Sequence, residues 1–363
     1  MAYTIADLIE HAVDLVPERV ALESGDRSRT YAELEARSNA LAHKLRELGV
    51  QPGDRVGLYS RNTIESVESM IAIFKARAVM VNVNYRYVEA ELEHIFTDSG
   101  LKVLIHERRF AGRVCNTLPK SPAIEYRIAI EDGSSEDLCC EGHGDAIRFE
   151  DAIAGSSAER DFEDRSNDDL YMLYTGGTTG KPKGVVWRQE DVWRVLGGGI
   201  DWYTSEPVPD EWHLAKTGAE GGQLVRYPIP PFIHGGSQWA IFQSLFAGGK
   251  AVVYPEFSGS SAWEIVERHK VNVVFITGDA MGGAPWSRRW GAGQGVRPVE
   301  RPLHRLVGLP LLAERERAVP GTIPERGDCR CDRLVGNRLR RSGHRREGHA
   351  AHRCPRVNAD SET

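Results

Sequence analysis

The residues best equipped for chemistry lie between Tyr174 and Gly184, in the run Tyr-Thr-Gly-Gly-Thr-Thr-Gly-Lys-Pro-Lys-Gly. The run follows the apolar stretch Leu170–Leu173 and has neither a helical nor a strand period. Gly176, Gly177 and Gly180 let backbone N–H groups approach an anion closely. Thr175, Thr178 and Thr179 add hydroxyl donors, and Lys183, with Lys181 as a second candidate, adds positive charge. A glycine-rich loop that leaves a buried strand with these groups suits a polyphosphate. The bland alternative is a solvated turn, but three hydroxyls and two lysines in one turn argue against it. A Walker loop needs Gly, four residues, then Gly-Lys-Ser/Thr. Thr175 stands where the first Gly belongs and Pro182 where the hydroxyl belongs, so that template fails twice.

Such a loop needs a sheet to hold it. A helix is expected from Thr30, where Thr30 and Glu33 form a capping box. Leu34, Leu41, Leu45 and Leu48 share one face, and Gly49 closes the helix with Pro52 just beyond. Strands are expected at 55–60, 79–84 and 101–106, with helices between them. Residues 119–169 are polar and broken by Gly and Ser, and read as a surface excursion. The strand at 170–174 then leads into the loop. A second succession follows, with strands at 226–231, 250–255 and 271–277 and helices at 236–249 and 261–270. Strands alternating with helices predict an α/β fold with two mainly parallel sheets.

The totals set limits. The 363 residues are 41% hydrophobic and 27% charged, ordinary for a globular enzyme. A net charge of −6 gives no support for a nucleic-acid partner. The N-terminus has no basic region ahead of an apolar one, so no signal peptide is expected. No apolar run approaches the roughly 18 residues of a membrane span. Six Cys without repeated spacing point to a reducing compartment, by default the cytoplasm. The totals hide a break, however. Residues 282–363 hold 17 Arg, 9 acidic residues and no Lys, a balance of +8 that leaves −14 on the first 281 residues.

Thr175 through Gly184 resembles the phosphate loop of the adenylate-forming enzymes, the superfamily of acyl-CoA synthetases, peptide-synthetase adenylation domains and luciferases. Their signature, Thr-Ser/Gly-Gly-Thr-Thr-Gly-x-Pro-Lys-Gly, is matched throughout. The resemblance runs from about Tyr3 to Met281. It takes in the segments around Thr30–Asn62 and Asn82–Gly100 and the run Tyr-Pro-Ile-Pro-Pro-Phe-Ile-His-Gly-Gly at 227–236. In its wording the chain looks closest to actinobacterial fatty-acyl and steroid side-chain CoA synthetases. The resemblance implies that a carboxylate attacks the α-phosphate of ATP, giving an acyl-adenylate and pyrophosphate, and that CoA then displaces AMP. By position, Thr175, Gly176, Gly177, Thr178, Thr179, Gly180 and Lys183 would hold the ATP phosphates, with Thr175 also near Mg²⁺. His234 matches the residue beside the acyl carboxylate, and Gly235, Gly236 and Trp239 would shape the acyl pocket. A lone His is more often structural, but its setting between prolines and a glycine pair favours a site role. Arg77 departs from the family, which usually has Gly there for close helix–strand packing; an Arg would either crowd the sheet or extend outward.

Family motifs that the resemblance leads one to expect after Met281 are not found: one for adenine and Mg²⁺, an Asp for the ribose, and a small C-terminal domain with a catalytic Lys. Three readings compete for 282–363. A zinc module would use Cys329, Cys331, His344, His349, His352 and Cys354, but one residue between the first two Cys is too few. A basic nucleic-acid arm would suit the Arg runs but not the lack of Lys and of interleaved aromatics. Out-of-frame translation of a GC-rich gene explains an Arg-rich, Lys-free tail directly, and it predicts that an adjacent frame near codon 281 resumes the family pattern. On that reading 1–281 is the N-terminal part of a ligase domain, 282–363 is unstructured, and the chain itself adenylates little or nothing. The competing class is a nucleotide-binding or interaction protein without catalysis.

Overall fold

The computed structural model describes residues 3–176, 180–200 and 205–277, together with the backbone of 305–308. In chain order the first half comprises α1 (Ile5–Leu15), β1 (Val20–Ser24), β2 (Arg27–Thr30), α2 (Tyr31–Glu47), β3 (Arg55–Tyr59), α3 (Ile64–Lys75), β4 (Val79–Asn82), α4 (Glu89–Ser99), β5 (Val103–Glu107), α5 (Ala111–Thr117) and β6 (Tyr126–Ile130). There follow β7 (Cys139–Cys140), β8 (Gly144–Asp145), β9 (Ile147–Arg148), α6 (Phe149–Ala154), β10 (Leu170–Thr175), β11 (Lys183–Arg188), α7 (Gln189–Leu196) and α8 (His213–Glu220). The last are β12 (Val225–Pro228), α9 (Gly235–Phe246), β13 (Lys250–Val252), α10 (Gly259–His269), β14 (Val273–Ile276) and β15 (Arg305–Gly308).

Two larger sheets result. One is wholly parallel in the order β4-β3-β5-β6-β9. The other runs β15-β14-β12-β13-β1-β2 and is parallel except for the β1–β2 pair. Alternation along the strands sorts side chains into layers. Val56, Met80, Val103 and Ile105 face a central core shared with α1, α2, α3 and α9. Val79, Val81 and Leu104 face the opposite way, onto Leu92, Ile95 and Phe96 of α4. Tyr227, Val252 and Val274 of the second sheet meet Ile265 and Val266 of α10. The α/β architecture with two mainly parallel sheets is as the sequence predicts.

Several local readings hold in detail. Thr30 and Glu33 form the reciprocal cap of α2, with N···O distances of 3.2 and 2.8 Å. Gly49 adopts φ 81°, the left-handed geometry only Gly takes without cost.

Others are corrected. The stretch 119–169 is not only a surface excursion, because β6 lies inside the five-stranded sheet, between β5 and β9, with Ile128, Ala129 and Ile130 buried. Its apolar run, Ile128–Ile130, is only three residues long and follows the charged Arg127, too short to stand out from polar flanks. Regular structure does not stop at Met281 either. Residues 305–308 form β15 and pair in parallel with β14. β14 thus has a neighbour on both sides. Cys115 and Cys140 are joined in a disulfide, while Cys139 is free and exposed. The partners lie 25 residues apart and meet only through the fold, so their spacing carries no signal. Arg77 has φ 58°. Gly is therefore favoured at this position by its left-handed backbone rather than by packing. The Arg side chain extends away to Asp169, with Nη2–Oδ1 at 3.0 Å and Nε–Oδ2 at 3.1 Å.

No helix among the described residues is long and apolar enough to cross a membrane. The helical layer holds a buried charge cluster. Lys75 is fully buried at the end of α3 and pairs with Glu10 of α1 and, at 2.9 Å, with Glu35 of α2. Arg165 reaches the same Glu10 at 2.7 Å. Burial pushes the Glu10 carboxyl up, but Arg165 and Lys75 outweigh it and hold it at about 2. A depressed carboxylate stabilises the fold fully above its ordinary value of 4.5, and that contribution is lost as pH falls towards about 2. We expect the urea midpoint to fall across that window, and Glu10→Gln to cost about 3 kcal/mol at neutral pH and to flatten the acid limb. An equally steep limb in the variant would assign the acid sensitivity to other groups.

Candidate functional site

β10 and β11 form an antiparallel hairpin in which Thr175 pairs directly with Lys183 and Tyr174 with Gly184. Thr175 and Lys183, at the two ends of the glycine-rich run, therefore lie side by side on paired strands. This pairing brings the predicted hydroxyl and ammonium onto one face, because directly opposed residues of an antiparallel pair point the same way. Thr175, Gly176, Gly180, Lys181 and Lys183 are all exposed, while Gly177, Thr178 and Thr179 lie outside the described residues. Lys181 and Lys183 make no ion pair among the described residues. A Cβ at Gly184 would come within 3.1 Å of the Tyr174 ring, a tight contact that the ring would have to yield to.

The hairpin is fastened by α4. The Tyr174 hydroxyl donates to Asp98 at 2.7 Å, and burial first, then Asp98, pushes its pKa above the ordinary range. The His94 ring meets the Pro182 carbonyl at 2.9 Å, at the far side of the loop.

The second half of the site is the start of α9. His234 is its N-cap residue, with extended backbone. The chain reaches it through Pro230–Ile233, held by two buried amides. Asn62, just after β3, donates to the Pro230 carbonyl at 3.0 Å and accepts from the Phe232 N–H at 2.8 Å. Asn82, at the end of β4, donates to the Ile233 carbonyl at 2.7 Å and to the Tyr174 carbonyl at 3.2 Å, and accepts from the Tyr174 N–H at 2.8 Å. One side chain thus ties the residue before Thr175 to the residue before His234. From within α9, Gln238 accepts the Tyr171 hydroxyl at 2.8 Å and donates to the Phe232 carbonyl.

Gly235 and Gly236 are places of close approach. A Cβ on Gly235 would meet Leu173 of β10 at 2.8 Å, and one on Gly236 would meet Phe275 of β14 at 3.0 Å. The helix start is thereby pressed between the hairpin and the second sheet. Trp239 lies deeper, 2% exposed, with its ring edge-on to Tyr171 and Phe242. The His234 imidazole is held below its ordinary pKa, chiefly by the surrounding protein and then by the Arg86 charge. Arg86 is exposed, packs 5.5 Å over the Tyr85 ring, and makes no ion pair among the described residues. Lys181 and Lys183 on the hairpin and Arg86 beside His234 thus make no ion pair among the described residues.

The structure brings Thr175, Gly176, Gly180 and Lys183 to one hairpin and His234, Gly235 and Gly236 to the adjoining helix start. The residues that sequence reasoning missed are Asn62, Asn82, Gln238 and Arg86. The only sequence signal for the two asparagines is a polar amide closing an apolar strand. Among the described residues no group of three or more His, Cys, Asp or Glu is placed to hold a metal. The cysteines and histidines of the zinc reading, and the Arg runs of the nucleic-acid reading, lie outside the described residues.

Comparison with known proteins places this geometry. The model of the AMP-binding enzyme family matches residues 9–282, and the chain belongs to that family. Among its curated relatives, the 3-oxocholest-4-en-26-oate–CoA ligase of Rhodococcus rhodochrous is 65% identical over 281 residues, covering 77% of this chain and 50% of that protein. A medium/long-chain-fatty-acid–CoA/3-oxocholest-4-en-26-oate–CoA ligase of Mycolicibacterium smegmatis is 53% identical over the same shares. The chain spans about half the length of the curated relatives it matches. The crystal structure of the anthranilate CoA ligase AuaEII has the same fold, with a TM-score of 0.65 at 21% identity over 76% of this chain and 50% of that one.

Removing the Asn82 amide would strand three backbone groups. We expect Asn82→Ala to lower stability by about 2–4 kcal/mol, read as a lower urea midpoint at unchanged slope. A loss under about 0.5 kcal/mol would mean that water replaces the amide freely.

Proposed function

We propose that this segment is the triphosphate- and acyl-binding half of an AMP-forming acyl-CoA ligase acting on a fatty or steroid side-chain acid. The observation that carries the proposal is the pairing of Thr175 with Lys183 at the mouth of the glycine-rich loop, tied through Asn82 to the residue before His234. In the proposed reaction the carboxylate attacks the α-phosphate of ATP, pyrophosphate leaves, and the CoA thiol then displaces AMP from the acyl-adenylate. Charge accumulates on phosphate oxygens, so donors fixed in advance contribute most of the stabilisation.

Thr175, Gly176, Gly177, Thr178, Thr179, Gly180 and Lys183 hold the phosphates in this reading. Thr175 would offer a hydroxyl, a suitable hard oxygen donor, to a Mg²⁺ ion, which would offset charge on the phosphates. His234 stands beside the acyl carboxylate, where a neutral imidazole accepts or donates one hydrogen bond without neutralising the nucleophile. Gly235 and Gly236 let the helix start sit close against Leu173 and Phe275, and Trp239 backs that wall from the core. The acid class rests on the two relatives at 65% and 53% identity. Use of ATP and CoA supports a cytoplasmic setting. Residues 283–363 lie beyond the family match and read as an out-of-frame-like tail.

Two measurements test this. Lys183→Met should weaken ATP binding about tenfold, the loss of one charge-assisted contact, as read by calorimetry. Unchanged affinity would remove Lys183 from the site. ATP–pyrophosphate exchange with a panel of fatty and steroid side-chain acids should stay near background for the 363-residue chain. Full-rate exchange would show that the matched half, with residues 283–363, is sufficient for adenylation.

A further inference from the structure

Outside the nucleotide site, one buried charge lacks a counter-ion. Arg127 on β6 is 5% exposed. Its guanidinium donates to the carbonyls of His143 at 3.0 Å and Gly144 at 2.6 Å, to that of Leu138 at 3.5 Å, and to Cys140 Sγ. No carboxylate pairs with it among the described residues. Burial lowers its pKa, and only Cys139 and Asp145 pull the other way. A buried cation that meets only neutral acceptors is costly. The one group in contact that can become an anion is the sulfur of Cys140, now in the disulfide with Cys115.

The two sulfurs differ in setting. Cys140 is 2% exposed, on the small β7–β8 hairpin, whereas Cys115 on α5 is partly open to solvent. The neighbouring Cys139 is free, exposed, and opposite Asp145 in that hairpin. Its hydrogen bond to Asp145, and then the Asp145 charge, push its thiol pKa up, which keeps it protonated and a poor competitor for the adjacent bond.

We propose that Cys115–Cys140 is an exchange site for low-molecular-weight thiols with a fixed direction: the incoming thiolate attacks Cys115 Sγ, and Cys140 leaves as a thiolate paired with Arg127. The new bond joins the external sulfur to Cys115, the Cys115–Cys140 bond breaks, and its electron pair stays on Cys140 Sγ. No outside oxidant is needed. The step is reversed when the Cys140 thiolate attacks the mixed disulfide and expels the small thiol. A leaving thiol of lowered pKa departs faster, and the guanidinium gains the counter-ion it lacks.

Glutathione serves as the probe. The full chain is incubated with it, quenched in acid, alkylated and mapped by peptide mass spectrometry, with peptides of Cys329, Cys331 and Cys354 read separately. We expect glutathione on Cys115 and the alkyl group on Cys140, in the native chain and in Cys139→Ser alike. Glutathione chiefly on Cys140, an even split, or no adduct on either would overturn the proposal. Arg127→Gln should slow adduct formation about tenfold, and an unchanged rate in folded variant would also overturn it. Should that variant fail to fold, the position of the adduct in the native chain decides.

Discussion

A buried amide must find partners for both its N–H₂ and its C=O, and the Asn82 side chain finds them on two segments remote in sequence. Its three hydrogen bonds join the end of β10 to the turn before α9. Asn62 grips the same turn two residues earlier. Both amides sit at the carboxyl ends of adjacent strands of one sheet, and the turn they hold follows a strand of the other. Ligands of open parallel sheets gather at such ends. The hairpin that carries Lys183 and the helix start that carries His234 are therefore tied together by Asn82, with Asn62 fixing the turn, and the glycines at 184, 235 and 236 permit the close contact that results.

Charge is distributed in two ways. In the helical layer Lys75, Glu10, Glu35 and Arg165 satisfy one another out of solvent. On the β10–β11 hairpin and beside His234, Lys181, Lys183 and Arg86 have no anionic partner among the described residues. The first arrangement pairs its charges internally, and the second leaves them exposed.

Much of this was legible from the chain alone. The α2 cap, the succession of strands and helices, the glycine-rich family motif and the His-Gly-Gly turn all leave local patterns, because caps, periods and glycine turns act over a few residues. What was not legible depends on contacts between distant residues. β6 is too short to announce itself, and β11 begins inside the motif, so a hairpin reads as a free loop. The left-handed backbone at Arg77 is hidden by a residue that seldom adopts it. Asn62 and Asn82 look like ordinary strand-end amides until their partners, more than 90 residues away, are folded beside them.

The pairing of β1 with β13 joins Leu22 to Ala251. The five-stranded sheet can close from one continuous stretch, residues 55–148, whereas the six-stranded sheet needs the start of the chain to wait for strands made more than 200 residues later. Such distant pairings are slow to form because closing a long loop costs entropy before any contact repays it. During synthesis, then, β1 can pair at once with β2 but waits more than 200 residues for β13 on its other edge.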